Sequence, residues 1–171
     1  MPRHVAFLRG VSPTNAKMPE LKRAFEEAGF SNVKTILSSG NVAFDARASS
    51  GEALARKCEQ AMQASLGRSF RTIIRSTAFL EALLEADPFR AWSVPANAKR
   101  VVTFLHGPPA RRIAFPIEQD GATMFGVRGT EAFTAYLPSP KGPVFMVLIE
   151  RTLGAEVTTR TWDTIKKCAR A

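Results

Sequence analysis

The chain is poor in the residues that most often carry out chemistry. Histidine occurs twice, at His4 and His106, and cysteine twice, at Cys58 and Cys168, in 171 residues. There is no C-x-x-C, neither cysteine has a histidine nearby, and no H-E-x-x-H or paired-carboxylate motif is present, so no metal is expected. A G-x-S-x-G elbow is absent, which removes the motif for that class of serine hydrolase. Tyrosine occurs once and tryptophan twice; the 12 phenylalanines fall mostly at core spacing, and no strand of the first half interleaves aromatic with basic residues as an RNA-recognition domain would. The longest apolar run, "VFMVLI", is far shorter than the roughly 20 residues of a membrane span. The opening "MPRHVAFLRG" has too short an apolar run for a signal peptide. The expected location is therefore the cytoplasm, where thiols stay reduced, with no membrane partner and no cofactor. Each histidine sits in or beside a strand, which favours a core or edge role over catalysis. Cys58 falls on the apolar face of a helix, where a thiol is buried and inert.

What the chain does have is a hydrophobic fraction of 45%, enough for a core without disulfides or metal, and a formal net charge of +9. A basic balance favours anionic partners. It is spread evenly: residues 1–85 carry 12 Lys/Arg against 8 Asp/Glu, and residues 86–171 carry 12 against 7, with no basic tail. The tightest pairs, Lys99-Arg100, Arg111-Arg112 and Lys166-Lys167, read as solvated surface.

Periodicity gives the order of elements. "HVAFLR", 4–9, is a short apolar strand ended by Gly10. Met18, Leu21, Phe25 and Ala28 recur at helical spacing, with Pro19 in the first turn and Gly29 at the stop. "NVKTILSS" and "NVAFDA" are two strands joined by a tight turn at Gly40-Asn41, because Gly and Asn enter positive φ cheaply. Residues 50–66 form a helix with Leu54, Cys58, Ala61, Met62 and Leu66 inside, and 70–75 return as a strand. The result is α+β: a ferredoxin-like β-α-β-β-α-β first half, 1–76, packed against a second, smaller α/β subdomain, 77–171, as one compact unit. The second half has a helix at 77–85, a strand at 100–106, a Pro-rich connection, strands at 122–129 and 131–137, a helix at 143–154 and a last helix at 162–169.

Several blocks, in order, resemble a known family: "FLRGV", Lys17-Met18 with Leu21, "GFSNVKT", "SSGNVAF", "DPF", "VTFL" and the terminal "TTRTWDTIKK". The chain resembles the DUF1697 proteins, which are small, mostly bacterial and functionally uncharacterised. The resemblance implies a two-part α+β fold with a ferredoxin-like first half, and no reaction. This sequence departs from the family pattern in three places. "RGVSPTN" lacks the later glycines of the first loop. Thr161 stands where the family has Asn before Trp162. "GPVFM" from Gly142 replaces a polar stretch.

Two polar connections stand out. The loop 10–17, between a strand and a helix, exposes backbone N–H groups where anions are favoured. It is flanked by Arg9 and Lys17 and offers Gly10, Ser12 and Asn15, yet it is neither a P-loop nor a dinucleotide fingerprint. It reads as a solvated connection or as a ligand loop. In "SSGN", turn geometry accounts for Gly40 and Asn41 and leaves Ser38 and Ser39 over, so the segment is a turn alone or a turn that also walls a site. Arg160, before the last helix, binds an anion or pairs with a carboxylate; Thr161 caps that helix. The candidate ligand site is Arg9, Gly10, Ser12, Asn15, Lys17, Ser39, Asn41 and Arg160. Its expected partner is a small phosphorylated or carboxylated ligand, bound or weakly transformed. The rivals are non-specific nucleic-acid binding through the basic surface and an interaction domain without ligand.

Overall fold

A computed structural model describes all residues, 1–171. The fold is mixed α+β, with two antiparallel sheets and five helices. The chain forms two compact units, Met1–Glu85 with Ile165–Ala171, and Ala86–Thr164.

The first unit runs β1 (Arg3–Leu8), α1 (Met18–Glu27), β2 (Ser31–Ile36), β3 (Asn41–Asp45), α2 (Gly51–Leu66), β4 (Thr72–Ser76) and α3 (Thr77–Ala86). Its sheet has the order β2-β3-β1-β4, all antiparallel. Five consecutive residues of β1, from His4 to Leu8, are buried, which is why this strand reads as a continuous apolar run rather than an alternation. Leu21, Ala24 and Phe25 of α1 and Leu54, Ala55, Cys58 and Met62 of α2 form one core with Ala6, Leu8, Val42 and Phe44. Met18 is half-buried against that core rather than inside it. Phe30 and Phe44 sit 4.3 Å apart between ring centroids, with Phe25 at 5.9 and 5.7 Å from them. Ser50 caps α2 by accepting from Ala53 N at 3.1 Å, and Gly67, at φ 71°, ends it left-handed.

The second unit has a 3-10 turn at Pro88–Ala91, then β5 (Lys99–Phe104), β6 (Ile117–Gln119), β7 (Ala122–Arg128), β8 (Glu131–Tyr136), α4 (Val144–Leu153), β9 (Thr158–Thr161) and the start of α5 (Trp162–Ala169). The sheet order is β6-β7-β8-β5-β9. Leu148 and Ile149 of α4 pack on Val101, Ala122, Met124 and Ala132 of the strands. Asp120 and Gly121, at φ 46° and 88°, make the two-residue turn from β6 to β7, a turn that needs positive φ twice. Thr161 caps α5, its hydroxyl accepting from Thr164 N at 3.2 Å.

Local details differ from the sequence-based expectation. β2 stops at Ile36, and the turn is Leu37–Gly40 rather than Gly40-Asn41; Asn41 is already in β3, paired across from Phe7. The return strand of the first unit lies at Thr72–Ser76, not 70–75. β6 and β9 went unforeseen. Both are short sheet-edge strands, and Thr-Thr-Arg-Thr of β9 shows no apolar alternation; its β-branched residues suit a strand, while its pairing with β5 supplies the partner.

Candidate functional site

The two polar connections meet. Leu8 N donates to Gly40 O at 2.8 Å, so the 37–40 turn lies against the end of β1 where the 10–17 loop begins. Gly40 has φ 88°, and a Cβ there would sit 2.8 Å from Val11 Cβ and 3.1 Å from Leu8 O. The glycine is required twice over, by backbone conformation and by close approach. At the same end Arg9 N donates to Arg71 O at 2.9 Å, which brings in the segment leading to β4.

Inside this frame the small polar residues are turned to structural use. Asn41 is fully buried, and its Nδ2 donates to Ile36 O at 3.0 Å and to Ser39 Oγ at 3.1 Å, closing the turn from within. Asn15 staples the loop: its Oδ1 accepts from Ser12 N at 2.9 Å and its Nδ2 donates to Gly10 O at 2.7 Å. The Ser12 and Thr14 hydroxyls share a 2.9 Å bond. Lys17 occupies the N-cap position of α1 with no side-chain cap, and is exposed. Arg160 lies on β9 in the second unit, where its Nη1 donates to Thr158 Oγ1 at 2.6 Å and to Thr159 O at 2.9 Å.

Beside the loop is a cavity of about 280 Å³. Asn15 and Ala16 supply one wall, Glu20 and Arg23 of α1 another, and Ser65, Leu66 and Arg68 at the end of α2 the rest. Arg68 Nη1 donates to Asn15 O at 3.2 Å, and its guanidinium lies 5.5 Å from the Phe70 ring centroid, so this cation is held in place. Of the eight sequence-derived residues, only Asn15 lines the cavity. Glu20, Arg23, Ser65 and Arg68 were not singled out, because each reads as an exposed position on or just past a helix. What selects them is the packing of the two helices and the loop, which no local pattern states.

Other titratable groups take structural roles. Cys58 is fully buried, and desolvation pushes its thiol up to about 12, so it is no nucleophile. His4 is buried against Phe44, its Nε2 lacks a partner, and burial holds its pKa below the ordinary value. Asp45 accepts from Asn32 Nδ2 at 2.6 Å and from Arg3 Nη1 at 2.9 Å, and these hydrogen bonds hold its carboxyl below the usual range. No group of three His, Cys, Asp or Glu side chains is placed to hold a metal ion. No helix is long and apolar enough to cross a membrane.

Residues 1–133 match the family model DUF1697, described as a protein of unknown function. The chain belongs to that family. The match ends before the terminal "TTRTWDTIKK" block, so that part of the resemblance lies outside it. A solved structure of a conserved bacterial protein from Streptococcus pneumoniae is similar over 99% of this chain and 97% of that one, with a TM-score of 0.68 and 18% identity. At that identity the likeness speaks for the fold alone. No curated protein matches the chain.

Proposed function

We propose that this DUF1697 member binds, or acts weakly on, a small anionic ligand seated in the cavity between the 15–16 end of the 10–17 loop, the start of α1 and the end of α2. The observation that carries this reading is that Arg23 and Arg68, from different segments, line one cavity beside that loop. Arginine donors in a planar fork suit carboxylate and phosphate groups, and such charge-assisted bonds are the strong ones. Arg9 and Lys17 stand at the two ends of the same loop and add positive potential around it. Ser12, Asn15, Ser39 and Asn41 contribute by holding the loop and turn in shape rather than by offering free donors.

The same reading takes the first unit as ferredoxin-like. The β2-β3-β1-β4 order, with α1 following β1 and α2 following β3, supports it. A cytoplasmic setting fits two buried cysteines that form no disulfide.

The test is a thermal-shift screen of phosphorylated and carboxylated metabolites on wild type, Arg23→Ala and Arg68→Ala. A ligand that stabilises wild type and loses its effect on both variants supports the assignment. Ligands that stabilise all three proteins equally refute it.

A further inference from the structure

The cavity between α1, the 15–16 loop and the end of α2 is not uniformly positive, and that decides what kind of anion suits it. Glu20 lines it together with Arg23 and Arg68. Neither Glu20 nor Arg23 is engaged in an ion pair, although they stand three residues apart on one helix. The wall that carries Ser65 and Leu66 is the last turn of α2, whose closing bond is Gly67 N to Gln63 O at 3.1 Å. The final carbonyls of a helix have no N–H successor within it and carry the negative end of the helix dipole.

We propose that this cavity takes a small zwitterion, a molecule bearing a carboxylate or phosphate and, on the same skeleton, an ammonium group. This rests on the anion-binding reading above and narrows it. The anionic group meets Arg68, which one N–H anchors to Asn15 O while the rest of its five donors remain for a ligand, and Arg23. The ammonium meets Glu20 and the carbonyl end of α2. A bare anion in the same place gains the two arginines but brings its charge against Glu20 and the helix end, an unfavourable like-charge contact. Leu66 supplies an apolar surface for a short carbon skeleton. About 280 Å³ lies just under the roughly 300–1,000 Å³ of typical ligand pockets, which suits a molecule of amino-acid dimensions.

Two probe pairs separate the alternatives by calorimetric titration at low ionic strength: L-glutamate against glutarate, and phosphoethanolamine against inorganic phosphate. They also distinguish a carboxylate ligand from a phosphate one. Wild type is expected to prefer the ammonium-bearing member of at least one pair by about tenfold. Glu20→Gln should bring that ratio close to one, while Arg68→Ala weakens both members. Glu20 and Arg68 are both exposed, so the variants keep their fold, and unchanged thermal midpoints verify it. Binding of glutarate and phosphate as well as their partners, or a preference that survives Glu20→Gln, overturns the zwitterion assignment and leaves anion binding standing. Failure of all four probes to bind folded wild type overturns both.

Discussion

Arg68 Nη1 lies 3.2 Å from the carbonyl oxygen of Asn15, joining the residue after the α2 cap to the loop before α1, 53 positions apart in the chain. The contact is exposed, so its net worth to the fold is small, under about 1 kcal/mol. Arg68→Ala should therefore leave the chemical-denaturation midpoint nearly unchanged while abolishing the ligand-induced rise in melting temperature. A large loss of stability in the variant without ligand would assign Arg68 to the fold instead of to binding.

Gly40 and Gly10 both have positive φ, at 88° and 80°, but only Gly40 is crowded, with Val11 Cβ 2.8 Å from where a Cβ would stand; Gly10 has open space. Gly10→Ala should cost about 1 kcal/mol from backbone strain alone. Gly40→Ala should cost about 2–4 kcal/mol, because strain and overpacking add. Urea denaturation of the two variants measures the difference, and equal losses would remove the close-approach argument.

Asn41 is fully buried with its amide serving Ile36 O and Ser39 Oγ. Truncation to Ala leaves the Ile36 carbonyl without that donor and should cost about 1–3 kcal/mol. Ser39→Ala, at an exposed hydroxyl, should cost under about 1 kcal/mol. If Ser39→Ala were the more damaging change, the side chain would be doing something other than closing the turn.

Leu37 is a non-glycine residue at φ 59°, with 47% of its surface exposed. Left-handed backbone is unfavourable for leucine, and the exposed side chain packs little in return. Leu37→Asn should raise stability by about 1 kcal/mol, read as a higher melting temperature. A lower one would show that the leucine side chain is in use.

The pH dependence of stability follows from His4 and Asp45. Burial lowers the His4 pKa below 6.5, so the folded protein holds the imidazole neutral while the unfolded chain takes up a proton. Its stabilising contribution is complete above 6.5 and fades as pH falls towards the lower folded value. Asp45 is lowered from 3.8, chiefly by its hydrogen bond from Asn32, so its contribution is full above that value and is lost in stronger acid. Stability should therefore fall in two stages on acidification. His4→Gln should flatten the first and leave the second. A first stage unchanged in His4→Gln would mean that another group is responsible.

Much of the first unit was legible because its signals are local. Met18, Leu21 and Phe25 mark one face of α1, and Leu54, Cys58 and Met62 mark one face of α2; all but Met18 are fully inside. Gly29 and Gly67 end the two helices as their positive φ values require. The edge strands β6 and β9 were not legible, since an edge strand buries little and its threonines and charges imitate a loop.

The sequence by itself determined that this chain builds a mixed α+β fold, that Cys58 lies on the buried face of its helix, and that the chain turns around Gly40. Composition, periodicity and the φ tolerance of glycine act through nearest neighbours, so they can be read in order. Only the tertiary structure decided that Gly40 rests on Val11 and that Asn41 faces inward to tie Ser39. It alone put Arg23, Arg68 and Glu20 around one cavity. Those outcomes depend on which helix packs beside which loop, a long-range matter of shape and burial, and a charged residue on an exposed helix face carries no local mark of the neighbour it will meet.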